Sequence, residues 1–86
     1  MKIGFHRIFD KQFKQLSPPQ KERVKSSLLF FQQDPLNPVL RNHPLKGKWS
    51  QYRSIGAGGD LRLHYRIISE TEVLFVAVGT HSQLYR

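Results

Sequence analysis

Apolar positions divide the chain into segments of distinct period. Lys2-Ile3-Gly4-Phe5-His6-Arg7-Ile8 alternates polar and apolar residues, with Ile3, Phe5 and Ile8 inward, and predicts a short first strand suited to a sheet edge. Phe9, Phe13 and Leu16 then recur at helical spacing. This predicts a short helix that starts near Ile8 or Asp10 and stops before the Pro18-Pro19 pair. Ser17-Pro18-Pro19-Gln20 has the chemistry of a second helix start. Ser17 can cap, Pro18 suits a first turn where a missing N–H costs nothing, and Gln20 can close a capping box. Val24, Leu28 and Phe31 line one face of that helix, Lys21, Arg23 and Lys25 stay in water, and Asp34-Pro35 ends it.

From Leu36 to Lys48 the chain is punctuated by Pro and Asn, which predicts an exposed loop anchored by Leu40 and Leu45. Trp49 to Ile55 reads as a strand, Gly56-Ala57-Gly58-Gly59 as a turn, and Leu61 to Ile68 as the next strand. After the turn at Glu70-Thr71-Glu72, the run Val73 to Val78 is continuously apolar. It predicts a central strand buried on both faces and ending at Gly79. The order is β-α-α-β-β-β, an α+β plan. The expected fold is a single small domain over residues 1–86, a twisted antiparallel sheet with a two-helix hairpin on one face and the other face open to a ligand.

Composition narrows the functional classes. A chain of 86 residues has room for one core and no linker, and six Phe, three Tyr and one Trp supply enough buried area to build it. The absence of Cys removes disulfides, thiolate zinc sites and thiol nucleophiles. No run approaches the roughly 20 apolar residues of a membrane span, nor does the sequence open with the apolar stretch of a secretory signal, so the expected compartment is the cytoplasm. Charge is the strongest signal: 14 Lys and Arg against 6 Asp and Glu give +8 and direct the chain toward polyanions. The excess concentrates between Pro35 and Ser69, where Arg41, Lys46, Lys48, Arg53, Arg62 and Arg66 face only Asp60.

Within that basic segment, period two places Leu61, Leu63, Tyr65 and Ile67 on one strand face and Arg62, His64 and Arg66 on the other. Three cationic or titratable groups then line the open side, a pattern that favours anion binding over a solvated face. Gly56-Ala57-Gly58-Gly59 lacks the Lys-Ser/Thr and the strand-to-helix context of a phosphate loop, so it reads as a hairpin turn. His6, His43, His64 and His81 show no metal-ligand spacing, and neither a metal nor another cofactor is expected. Asp60 opens a strand among basic neighbours, as a turn residue or an orienting carboxylate. His81 and Tyr85 follow a core strand closely enough to fold back onto the open face, although Tyr85 equally suits the edge of the core.

Taken together, His43-Pro44-Leu45-Lys46-Gly47, Trp49 through Tyr52-Arg53, Asp60 through Tyr65, and Gly79-Thr80-His81 through Leu84-Tyr85 resemble the YafQ-like branch of the RelE/ParE toxin superfamily. The likeness covers about residues 40 to 85, and the first half of the chain matches in its strand–helix–helix plan. The resemblance implies the toxin of a type II toxin–antitoxin pair, a ribosome-dependent endoribonuclease that cuts mRNA in the decoding site without a metal. It implies a cognate acidic antitoxin, and contact with DNA only through the antitoxin complex. Carried over by position, His43, Asp60, His81 and Tyr85 match the catalytic set, and Arg62 stands where the wider RelE group has a phosphate-contacting Arg. Lys46, Lys48, Arg53, His64 and Arg66 are the expected RNA contacts. The chain departs from the pattern at Gly56, where YafQ-like members usually have another His, and at Leu61, where they have an aromatic. Arg62, His64, Lys46 and Lys48 are the groups that would compensate. Two alternatives share the fold: a ParE-like inhibitor of DNA gyrase, and an inactive module that binds RNA or an antitoxin.

Overall fold

Caps written in the sequence set the helix boundaries of the computed structural model, which describes residues 1–85. A first strand, β1 (Lys2–Phe5), leads directly into helix α1 (Arg7–Lys14). The ring of His6 accepts the Ile8 N–H at the start of α1. Helix α2 (Pro18–Gln33) opens with the Ser17/Gln20 capping box, both of its hydrogen bonds formed and the proline pair at its first positions. A 3-10 turn at Pro38–Leu40 follows, then a two-residue strand β2 (His43–Pro44), a second 3-10 turn at Gly47–Trp49, and strands β3 (Arg53–Gly56), β4 (Leu61–Ser69) and β5 (Glu72–Thr80). A four-residue helix α3 (His81–Leu84) closes the described chain.

The five strands form one sheet in the order β1-β5-β4-β3-β2. This corrects the wholly antiparallel expectation: β1 pairs with β5 in parallel, Lys2 opposite Glu72 and Phe5 opposite Phe75, while the other neighbours are antiparallel. The parallel pairing follows from the connection, because a two-helix excursion carries the chain across the sheet before it returns. β1 is the edge expected, and β4 rather than β5 occupies the middle. Beyond Phe75 the β5 edge has no strand partner among the described residues, and there the Gln12 side chain accepts the Val78 N–H at 2.9 Å, so the exposed ladder group is satisfied.

The strand expected from Trp49 begins only at Arg53, because Gly47, at φ 65, turns the chain into the 3-10 segment that carries Trp49. The loop between α2 and β3 likewise contains a strand that apolar periodicity could not reveal, since His43 and Pro44 are too few to show a period.

Phe31 of α2 packs edge-on against Tyr65 and Phe75, with ring centroids 4.9 and 5.2 Å away, and Phe9 of α1 meets Phe75 at 6.0 Å. Val24, Leu40, Ile55, Leu61 and Leu63 complete this core. The helical hairpin therefore covers the face defined by Leu61, Leu63 and Tyr65, as their alternation predicts. Ile67, expected on the same face, is 58% exposed. Val76 and Leu74 of β5 are only partly covered, so that strand is not buried throughout on both faces. A register shift between His64 and Tyr65 leaves Val76 as the unpaired residue of β5.

Candidate active site

Cross-strand pairing builds one row across the open face. His43 on β2 lies opposite Ser54 on β3, Ser54 opposite His64 on β4, and His64 opposite Ala77 on β5. Directly opposed residues share a face, and Leu63 and Tyr65 belong to the helical side, so all members of the row point away from the helices.

His43 sits at the exposed end of this row. Its Nδ1 is 2.7 Å from the carbonyl oxygen of Arg41. A carbonyl only accepts, so the bond requires the proton on Nδ1 and leaves Nε2 directed elsewhere, an acceptor whenever the ring is neutral. Arg41 holds that carbonyl in place in the left-handed conformation, φ 50 and ψ 43, a strained geometry for a residue with a side chain.

His64 was expected to be exposed on the open face; it is on that face but fully buried. Two aromatic side chains cover it. Trp49 stands edge-on with ring centroids 4.8 Å apart, and Tyr85 lies at 5.4 Å with its hydroxyl 3.3 Å from His64 Nε2. Desolvation by this cover, followed by the charges of His43, His81 and Arg62, lowers the His64 pKa from 6.5 to about 4. The same couplings mean that His43, His81 and Arg62 all lie within electrostatic reach of one buried ring. Sequence reasoning did not assign Trp49 a place here. Its signal was the lone Trp flanked by Lys48 two residues after Lys46.

Helix α3 brings the C-terminal groups into position. Thr80 and Gln83 close a capping box, Leu84 is buried, and the His81 N–H donates to the Asp60 carbonyl at 3.1 Å. A turn later, Tyr85 lies 4.6 Å from His81 between ring centroids. Burial raises the Tyr85 pKa against the opposing pull of Arg62, so the phenol stays protonated at neutral pH. Asp60 thus ties α3 to the start of β4 through its backbone; among the described residues its exposed carboxylate makes no hydrogen bond to an imidazole.

Arg62 turns its Nη1 onto the carbonyls of Gly59 and Leu61, at 3.0 and 3.2 Å, which leaves Nε and Nη2 for an anion. Lys46 and Lys48 are exposed beside the Trp49 cover, and Arg66 is exposed opposite Leu74. Arg53 is placed differently. It pairs with Tyr65 on the helical side, where its Nε donates to Asn42 Oδ1 at 2.8 Å and Asn42 in turn donates to the Tyr65 hydroxyl at 2.8 Å. Leu61, at one of the two departures from the family pattern, is buried in the core. At the other, a Cβ on Gly56 would meet Arg62 Nη1 at 3.8 Å, an ordinary contact.

Next to the Trp49 cover, Trp49, Tyr52, Val76, Ala77, Gln12 and Gln83 contribute to a cleft of about 320 Å³. Aromatic walls with side-chain amides suit a flat heterocycle. Among the described residues, no group of three or more His, Asp or Glu is disposed to hold a metal ion, and no helix is long and apolar enough to cross a membrane.

The family model described as a bacterial toxin of type II toxin–antitoxin systems, YafQ, matches residues 1–86. Among solved structures, a metal-bound toxin from Helicobacter pylori is 30% identical with a TM-score of 0.70, each chain covered to 98%. The YafQ structure from Escherichia coli strain BL21(DE3) superposes with a TM-score of 0.83 at 24% identity, over 99% of this chain and 98% of that one. An Escherichia coli DinJ-YafQ complex gives a TM-score of 0.72 at 27% identity, again covering 99% and 98%. No curated protein sequence matches the chain significantly.

Proposed function

Because the chain belongs to the YafQ family of toxins of type II toxin–antitoxin systems, we propose that it is a ribosome-dependent endoribonuclease that cuts mRNA by transesterification. The observation that carries this reading is that His43 shares a cross-strand row with the covered His64 and that the charges of His43, His81 and Arg62 all reach that ring. RNA contains its own nucleophile. The ribose 2′-OH attacks the adjacent phosphorus, a pentacoordinate phosphorane forms, and the 5′-oxygen leaves, giving a 2′,3′-cyclic phosphate and a 5′-OH end. Such a step needs a base at the 2′-OH, an acid at the departing oxygen and cations against the phosphorane charge.

The residues divide among these tasks by their hydrogen bonds. With Nδ1 committed to Arg41, neutral His43 presents Nε2 as an acceptor and serves as the base. His81, exposed and in contact with the Tyr85 ring, serves as the acid. Arg62 clamps the phosphate with its remaining guanidinium donors, while Lys46, Lys48 and Arg66 hold the flanking backbone. Tyr85 supplies a stacking face for a base, and Asp60 acts by anchoring α3 rather than by a carboxylate contact. Arg53 has no place in this scheme, since its guanidinium bonds to Asn42 on the helical side.

The expected partners are the ribosome with its mRNA, and an acidic antitoxin attracted by the +8 charge of the chain. The test is cleavage of mRNA on programmed ribosomes by the purified chain and by its His43→Ala and His81→Ala variants. Cutting by the chain, lost in both variants while ribosome binding persists, supports the reading. Equal cutting by all three refutes the assigned roles.

A further inference from the structure

The cleavage scheme above gives His64 no part, since a fully buried ring cannot touch RNA. Yet a titratable side chain occupies a fully buried position of the kind that apolar residues usually fill. The ring's one side-chain hydrogen bond among the described residues is to the Tyr85 hydroxyl, and its Nδ1 has none. The two groups packed on it come from different segments: Trp49 from the 3-10 turn after the lysine loop, Tyr85 from the end of α3. Both segments are short: the α3 backbone is tied down by its capping box and the Asp60 carbonyl, and the turn by its own hydrogen bonds and the Tyr52 ring. A four-residue helix and a three-residue turn have little stability of their own.

We propose that His64 is a positioning residue: it pins Trp49 and Tyr85 onto the sheet from two sides, and so fixes the placement of His81, whose ring lies against Tyr85. An edge-on contact holds the indole, and the bond at Nε2 holds the phenol in one rotation about its helix. Leucine would pack here but would leave the Tyr85 hydroxyl unpaired. The charges around the ring come from His43 on β2, Arg62 on β4 and His81 on α3, all cationic or able to become so, with the neutral phenol of Tyr85 over it. Every one of them favours a neutral ring, which suits a fixed support among groups that bind phosphate. The effect on catalysis rests on the nuclease reading; the effect on Tyr85 does not.

The test uses the full chain and its Tyr85→Phe, His64→Leu and His64→Gln variants, with folding checked by circular dichroism. Histidine-ring nitrogen NMR at pH 6 should find His64 neutral, and Tyr85→Phe should move its Nε2 resonance. On ribosomes, Tyr85→Phe and His64→Leu should each lower kcat about tenfold with KM little changed, and the double variant should be no slower than either. His64→Gln, which returns a polar group near the Nε2 position, should recover most of the rate. An unmoved resonance in Tyr85→Phe, or losses that multiply to about a hundredfold in the double variant, overturns the proposal. If the unmodified chain cuts no mRNA, the nuclease reading falls, and the resonances alone decide for or against the pinning of Tyr85.

Discussion

His43 Nδ1 lies 2.7 Å from the carbonyl oxygen of Arg41, and that contact selects which imidazole nitrogen faces outward. His43 is oriented by backbone, not by a carboxylate, so its alignment depends on Arg41 keeping a positive φ of 50. Arg41→Gly should preserve the orientation, because glycine adopts this conformation at no steric cost. Cleavage should then fall by no more than a few-fold, from the lost surface charge. His43→Ala should lower it by roughly 10²-fold or more, the scale of one acid–base group. Single-turnover cleavage on ribosomes measures both, and a loss in Arg41→Gly as large as in His43→Ala would remove the backbone from the explanation.

Arg62 is expected to act as a fork. With Nη1 held by Gly59 and Leu61, the two remaining nitrogens can meet two phosphate oxygens together. Lysine cannot reproduce that geometry. Arg62→Lys should therefore lose about 10-fold to 100-fold in single-turnover rate, the equivalent of a charged hydrogen bond, and Arg62→Ala at least as much. A fully active Arg62→Lys variant would show that only the charge matters.

The acid stability of the fold should report on His64. Burial, reinforced by His43, His81 and Arg62, holds its pKa at about 4 against 6.5 for an unperturbed ring. Above 6.5 the ring is neutral in both folded and unfolded chains, and its full contribution is present. As the pH falls below that value, the unfolded chain takes up a proton that the native ring refuses. Native stability should drop until the pH nears 4, by on the order of 3 kcal/mol. Urea unfolding followed through the single Trp, Trp49, gives the measurement. His64→Leu should lack this component of the decline; an identical decline in both proteins would mean the ring is protonated in the native state.

Asn42 separates stability from activity. It joins the Pro35 carbonyl, the Tyr65 hydroxyl and Arg53 Nε on the helical side, away from the histidine row. Asn42→Ala leaves the partly buried Tyr65 hydroxyl without this donor and should cost about 1–3 kcal/mol in urea unfolding. Its cleavage rate, measured well below the unfolding midpoint, should stay within a few-fold of the unmodified chain. A large fall in rate with unchanged stability would put Arg53 or Asn42 in contact with RNA after all.

Long-period features of this fold were legible in the sequence because they repeat. The Ser17/Gln20 box and the Val24–Phe31 stripe define α2, and the alternation from Leu61 to Tyr65 assigns the faces of β4. Short features were not. β2 has two residues, α3 has four, and Trp49 belongs to a 3-10 turn set by the backbone of Gly47, so none carries a period to read. The burial of His64 escaped for a related reason. Alternation says which face a side chain takes, but the cover over that face comes from Trp49 and Tyr85, distant in sequence and placed only by tertiary packing. The parallel pairing of β1 with β5 likewise depends on where the helical hairpin returns the chain.

The nature of the RNA ends produced on the ribosome bears most directly on the role of the His43, His81 and Arg62 cluster. The purified chain is incubated with ribosomes carrying a defined mRNA in the decoding site, and the fragments are tested for their termini. Transesterification by this cluster requires an upstream fragment ending in a 2′,3′-cyclic phosphate and a downstream fragment with a 5′-OH. Intact mRNA, or a downstream fragment bearing a 5′-phosphate, would contradict it.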